Sequence, residues 1–171
     1  MPLVFTLRNP VLNALKFPAP LSDDVVGGAM PTREAVNQDL FNVLSHSERV
    51  GIRPFDDEHV RLAELLQAAT LAAHDHVHPS VLREELSSIF GYALMHFSEE
   101  EYVMGVAKYP GLAAHRAEHA KIMERLQHQL TNYDSDPTRV ALDIVDMLEL
   151  WLHNHIIRFD VDYGRYLRHE L

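Results

Sequence analysis

Twelve histidines in a chain that has no cysteine are the feature whose chemistry most needs a reason. Without cysteine there is no disulfide, no thiolate metal site and no cysteine nucleophile. Any metal chemistry must therefore run through imidazole nitrogen and carboxylate oxygen. His115 and His119 stand one helical turn apart, a spacing that lets two imidazoles converge on one ion. His96 and Glu100 repeat that spacing, and His59 and His155 complete the set. A lone inward histidine is usually a satisfied core residue. Glu100 resists that explanation, because a carboxylate buried without a partner must find a cation or take up a proton. Neutral imidazoles with carboxylates suit iron, zinc, copper or manganese, not calcium. Five histidines exceed what one tetrahedral zinc uses, so two ions sharing a carboxylate is the natural count. The other bundle-type di-iron pattern needs Glu-x-x-His pairs on two helices, and no such pairs are found. Of the remaining histidines, His74, His76 and His78 read as a solvated loop, and His46, His128, His153 and His169 as surface. Glu99 and Glu101 read as facing water.

The elements that must position these groups follow from hydrophobic periodicity. Four long helical segments are expected: about 56–73, 80–107, from Tyr109-Pro110 to about Leu130, and from Asp136-Pro137 to at least His155. Asp136 is suited to cap the fourth segment, with Pro137 in its first turn, and Pro110 to open the third. Stepping by three and four residues, the inner stripes read Phe55, His59, Leu62, Leu66, Ala69, Ala73; then Ile89, Ala93, His96, Glu100, Val103. They continue as Leu112, His115, His119, Ile122, Leu126; and Val140, Ile144, Met147, Trp151, His155. Every segment places histidine on its core-facing side. The connections are short, so neighbours run antiparallel. His59 and the His115/His119 pair lie near the starts of their helices, and His96/Glu100 and His155 near the ends. All four groups therefore fall at one end of an all-α, up-down-up-down four-helix bundle. The stripes alone did not require that agreement in height.

The length of 171 residues is enough for one domain with a substantial core. The expected organisation is an N-terminal extension over 1–48, partly irregular with a short helix over 31–45, and the bundle over 49–171. With 25 acidic against 15 basic residues the formal net charge is -10, a surface that repels nucleic acid and anionic membranes. No stretch approaches the apolar length that spans a bilayer, and the N-terminus reads poorly as a secretory signal. A cytoplasmic protein is the expectation. No serine-nucleophile constellation or glycine-rich phosphate loop appears.

The stretches Gly51-Ile-Arg-Pro-Phe-Asp-Asp-Glu-His59, Tyr92-Ala-Leu-Met-His96-Phe-Ser-Glu-Glu100-Glu, Tyr109-Pro110 with His115-x-x-x-His119, and Trp151-Leu-His-Asn-His155-Ile-Ile-Arg-Phe-Asp160 together resemble the hemerythrin family, bacteriohemerythrins in particular. The likeness runs over about residues 50–168. It implies that His115, His119 and His155 ligate one iron, that His59 and His96 ligate the other, and that Glu100 and Asp160 bridge both. Only the resemblance supplies Asp160. Five residues past His155 is about 140° around an ideal helix, which by spacing alone marks a surface acid. The implied cofactor is two Fe ions (Fe2+/Fe3+) with an oxo or hydroxo bridge, and the implied function is reversible dioxygen binding for storage, delivery or sensing. A di-iron enzyme, or a redox or nitric oxide sensor, is the alternative on the same ligands. Phe97, Trp151 and Ile156 flank ligand positions and are expected to wall the dioxygen pocket. A further reading, apart from the resemblance, makes the domain a signalling module with residues 1–48 as its output or docking arm for a protein partner.

Overall fold

The computed structural model describes residues 49–169. The extension over 1–48, with its expected helix over 31–45, lies outside the described residues. Helix α1 is Arg53–His74, α2 is Pro79–Val106, α3 is Leu112–Leu130 and α4 is Pro137–His155. A π-helical turn, Ile156–Asp160, continues α4 into a short α5, Val161–Leu167. No strand occurs among the described residues. No described helix is long and apolar enough to cross a membrane.

The helix ends follow from local chemistry. Asp136 accepts a hydrogen bond from the Arg139 backbone N–H at 3.1 Å and caps α4, with Pro137 in its first turn. The His78 ring, expected in a solvated loop, instead caps α2: its Nδ1 accepts from the Ser80 N–H at 3.3 Å. Pro110 does not open α3. It lies in the turn ahead of Leu112, and Gly111 is the capping residue. The Asp56 carboxylate reaches back from the first turn of α1 to accept from Val50 and Gly51 N–H at 2.8 and 3.2 Å.

The main core is apolar and fills the bundle from Leu82, Leu86 and Leu130 at one end up to Phe97, Ile122, Leu152 and Ile156. On α4 the buried stripe is Val140, Ile144, Leu148, Leu152 and His155. Met147 and Trp151, expected on it, are only half-buried. This helix packs against the other three, so its buried face is wide and the expected stripe traces its edge. A second, smaller cluster of Phe55, Met104 and Tyr163 closes the opposite end. Between the two apolar clusters lies a layer of polar side chains.

The segment after α4 is held by backbone proximity. A Cβ on Gly164 would stand 2.2 Å from the Val50 carbonyl oxygen. Only glycine lets the chain ahead of α1 cross α5 this closely. The Arg168 guanidinium bonds the same carbonyl. The start of α1 and α5 are thereby tied together, and with them the residues just before α5.

Candidate metal centre

His59, His96, Glu100, His115, His119, His155 and Asp160 are each no more than 3 % exposed. All seven residues expected in the site thus converge in the polar layer. Helix α1 brings His59, α2 brings His96 and Glu100, α3 brings His115 and His119, and α4 brings His155.

Asp160 arrives by a route that spacing on an ideal helix does not show. The π turn Ile156–Asp160 has i→i+5 backbone bonding. That adds a residue to the turn and rotates Asp160 back onto the His155 side. Its Oδ1 lies 3.2 Å from His155 Nε2 and 3.3 Å from His115 Nε2. Its Oδ2 lies 3.3 Å from His59 Nε2. One carboxylate therefore faces two separate histidine groups, one with each oxygen.

The first group is a triangle. His115, His119 and His155 present their Nε2 atoms to one another at 3.1, 3.0 and 3.1 Å. Three nitrogens about 2.1 Å from one ion stand about 3.0 Å apart when the bonds are mutually perpendicular, and about 3.4 Å apart when tetrahedral. The triangle fits one face of an octahedron better than a tetrahedral zinc site. The second group is His59 and His96, with ring centroids 4.8 Å apart. Glu100 serves both: its Oε2 is 3.4 Å from His115, 3.6 Å from His119 and 3.6 Å from His96 Nε2. Both sets, Glu100/His115/His119/His155 and His59/His96/Glu100, have donor atoms close enough to hold one cation each.

Electrostatics agree with that donor geometry. Both oxygens of Glu100 and both of Asp160 are buried with no hydrogen bond. Burial, and then the Asp160 charge, push the Glu100 carboxyl well above its usual range. Burial works in the same sense on Asp160, but His155 and His59 outweigh it and hold that carboxyl well below its usual range. Burial thus opposes the ionisation of both carboxylates together unless a cation sits between them. Burial, then the neighbouring His155 and His115, depress the His119 imidazole to about 2, and burial also lowers His115. Neutral imidazoles facing one another with bare nitrogens, beside two buried carboxylates, are the donor set of a cation pair.

Two carboxylates stand directly behind the histidines: Glu101, which was expected to face water, and Glu58, to which the sequence reading gave no role. Glu58 Oε2 accepts from His96 Nδ1 at 2.7 Å, and Glu101 Oε1 from His119 Nδ1 at 3.1 Å. The other Glu101 oxygen takes a hydrogen bond from Arg116 Nε at 2.9 Å. A carboxylate accepts, so Nδ1 carries the proton and each Nε2 lone pair is left to point inward. Burial pushes the Glu58 carboxyl up, but the His96 hydrogen bond prevails and it lies below its ordinary value. The signal for both residues was their position: each directly adjoins a candidate ligand in sequence, at a helix edge facing the next helix.

The expected pocket residues divide. Phe97 stacks on His119 with centroids 3.8 Å apart at 11°, and Trp151 on His155 at 4.4 Å and 18°. Both also line an apolar cavity of about 20 Å³ with Leu62, Ile122 and Leu152. Ile156 is fully buried in the main core and is not on that cavity's wall.

The model of the hemerythrin HHE cation binding domain matches residues 50–160. The chain belongs to the hemerythrin family. It is similar to the bacteriohemerythrin of Pseudomonas paraeruginosa, 27% identical over 121 residues that cover 71% of this chain and 78% of the relative. The bacteriohemerythrin of Stenotrophomonas maltophilia is 28% identical over 115 residues, covering 67% and 74%. That of Methylococcus capsulatus is 29% identical over 112 residues, covering 64% and 82%. The matched span of the hemerythrin domain contains all seven residues of the polar layer, from His59 to Asp160.

Proposed function

We propose that this hemerythrin-family chain is a non-haem di-iron protein that binds dioxygen reversibly, for storage, delivery or sensing. The observation that carries it is Asp160, fully buried, with one oxygen toward the three-histidine group and the other toward His59. In this reading His115, His119 and His155 hold one iron, His59 and His96 the other, and Glu100 and Asp160 join them beside an oxo or hydroxo bridge. The bundle over 49–171 is the functional unit in this reading, and a protein partner would dock through residues 1–48.

A ferrous pair supplies the electrons that dioxygen takes on binding and returns on release. The chain's own residues govern the rest. Glu58 and Glu101 keep a proton on the outer nitrogens of His96 and His119, which leaves the inner nitrogens free to coordinate. Phe97 and Trp151 cover the ring faces of His119 and His155 and separate the polar layer from the core. The cavity behind them is walled by apolar side chains. It is large enough for one small molecule, and its lining favours an apolar diatomic gas over water. With three histidines on one side and two on the other, the His59/His96 pair would leave its ion the more room for a small ligand.

The test is metal content together with the visible spectrum of the ferrous protein, before and after air. About two irons per chain, with a charge-transfer band that appears with oxygen and fades on its removal, is the expected result. Iron that oxidises without releasing oxygen overturns the carrier reading in favour of an enzyme or redox sensor. Zinc alone overturns the di-iron assignment.

A further inference from the structure

Tyr163 is the one buried polar side chain in the closing cluster of Phe55, Met104 and Tyr163. It is 0 % exposed, and its hydroxyl has no hydrogen-bond partner among the described residues. Its ring packs on Phe55 at 5.8 Å, on Tyr109 at 5.5 Å and edge-on to His115 at 6.4 Å. Phenylalanine would make all of these contacts. The hydroxyl is therefore unexplained by packing, and a buried hydroxyl without a partner is destabilising.

Its surroundings say what the hydroxyl is for. Tyr163 follows Asp160 by three residues, so both lie on one side of the chain where the π turn joins α5. The tie between Gly164 and the Val50 carbonyl holds the segment in place. A phenol keeps its proton at neutral pH, so the hydroxyl is available as a donor. Asp160 already has histidine nitrogens facing both of its oxygens. Glu100 does not: its histidine approaches all go to Oε2, and Oε1 is buried with no hydrogen bond. A carboxylate oxygen has two lone pairs, so one oxygen can serve a cation and a hydroxyl together.

We propose that Tyr163 is a positioning residue of this centre, its hydroxyl donating to Glu100 and fixing the carboxylate shared by the two histidine groups. The assignment rests on the metal-centre reading above. It would make Tyr163 the counterpart, from the closing end of the bundle, of what Glu58 and Glu101 do from the flanks.

The experiment compares the full chain with its Tyr163→Phe variant, each stripped of metal and each loaded with ferrous iron without air. Iron retained against a fixed concentration of chelator and the melting temperature of both forms are measured. The variant is expected to bind iron about tenfold more weakly, the lower end of the usual cost of removing such an outer partner. Its metal-free melting temperature should be unchanged or higher, and its iron-induced rise smaller. Phe55→Leu, which thins the same cluster without touching the hydroxyl, should lower both forms alike. Equal iron retention and an equal iron-induced rise overturn the proposal. So does a variant that loses as much stability without iron as with it, since that is a packing role. If the unaltered chain takes up no iron, the metal-centre reading itself has failed and this assignment falls with it.

Discussion

The two ends of the bundle are built on opposite rules. At the end where α2 and α4 begin, Leu82, Leu86, Leu130 and Val140 interdigitate and the one large polar group, Tyr133, has its partner: its hydroxyl bonds the Pro79 carbonyl at 2.5 Å. At the other end, seven buried polar residues face one another, and Glu100, Asp160 and several ring nitrogens have no hydrogen bond. Apolar burial stabilises the first end on its own. The second is stabilised by packing at its rim and destabilised at its centre, unless cations draw its carboxylates and imidazoles together. One end explains why the chain folds, and the other what its buried polar residues can hold.

The sharpest way to break this contrast is to remove metal. Iron present at 100 to 1,000 times its dissociation constant adds roughly 3–4 kcal/mol, on the order of 10 °C in melting temperature for a chain of this size. Stripping it should lower the melting temperature by that order. Hydrogen exchange should quicken around His96–Glu100, His115–His119 and His155–Tyr163, while the backbone around Leu82–Leu86 and Leu126–Leu130 stays protected. Uniform loosening of both ends would show that the contrast is false.

A smaller effect tests the other end. Leu86 is 1 % exposed in the main core. Leu86→Ala should cost about 3 kcal/mol, seen by denaturant unfolding, and the loss should be the same with and without iron. Iron content per chain should not move. A loss of iron in this variant would mean the apolar end also sets the geometry of the site.

These two ends were not equally legible. The apolar end could be read from periodicity, and so could the height at which His59, His96, His115, His119 and His155 meet, because antiparallel helices fix relative height. Asp160 could not. An ideal helix turns it away from His155, and only the π turn over Ile156–Asp160 brings it back. Nothing in Ile-Ile-Arg-Phe-Asp announces that insertion, so family resemblance supplied what spacing withheld. Glu58 and Glu101 were missed for a different reason. Hydrophobic periodicity divides a helix into inside and outside, and both residues sit on the boundary, where a long carboxylate reaches past its own helix to a neighbour's histidine. Met147 and Trp151 mark the same boundary on α4. Helix edges carry the contacts between helices, and a one-dimensional stripe does not resolve them.

Those boundary carboxylates give the next test. Replacing Glu58 or Glu101 by glutamine keeps the size but removes the charge that holds the proton on Nδ1. Each change should weaken metal affinity by roughly 10–100-fold, measured by competition with a chromophoric chelator. Glu101→Gln acts on the three-histidine group, which keeps His115 and His155. Glu58→Gln acts on a group of only two. The Glu58 variant should therefore lose more, and first at one iron per chain. The reverse order would mean that the Arg116–Glu101 pair, and not the number of histidines, decides how firmly each position holds.

The smallest effect belongs to Tyr133, the polar exception at the apolar end. Burial is the main cause that pushes its phenol up to about 12, against a partial opposing pull from Arg83, which lies over the ring at 4.7 Å. The ordinary tyrosine value is about 10. A folded state that holds a proton more tightly than the unfolded chain loses stability as pH rises. The Tyr133 contribution is therefore fully present below about pH 10 and declines as pH climbs toward about 12. Tyr133→Phe keeps the ring and deletes the hydrogen bond to Pro79, so about 1 kcal/mol should be lost at neutral pH. The variant should also lose part of the alkaline decline, so that variant and parent curves approach one another between pH 10 and 12. Denaturant unfolding of the metal-free protein at pH 8 and at pH 11 measures both quantities without iron in the way. If the gap between the two proteins is the same at both pH values, the Tyr133 phenol titrates alike in the folded and unfolded chain, and burial at the apolar end does not hold its proton.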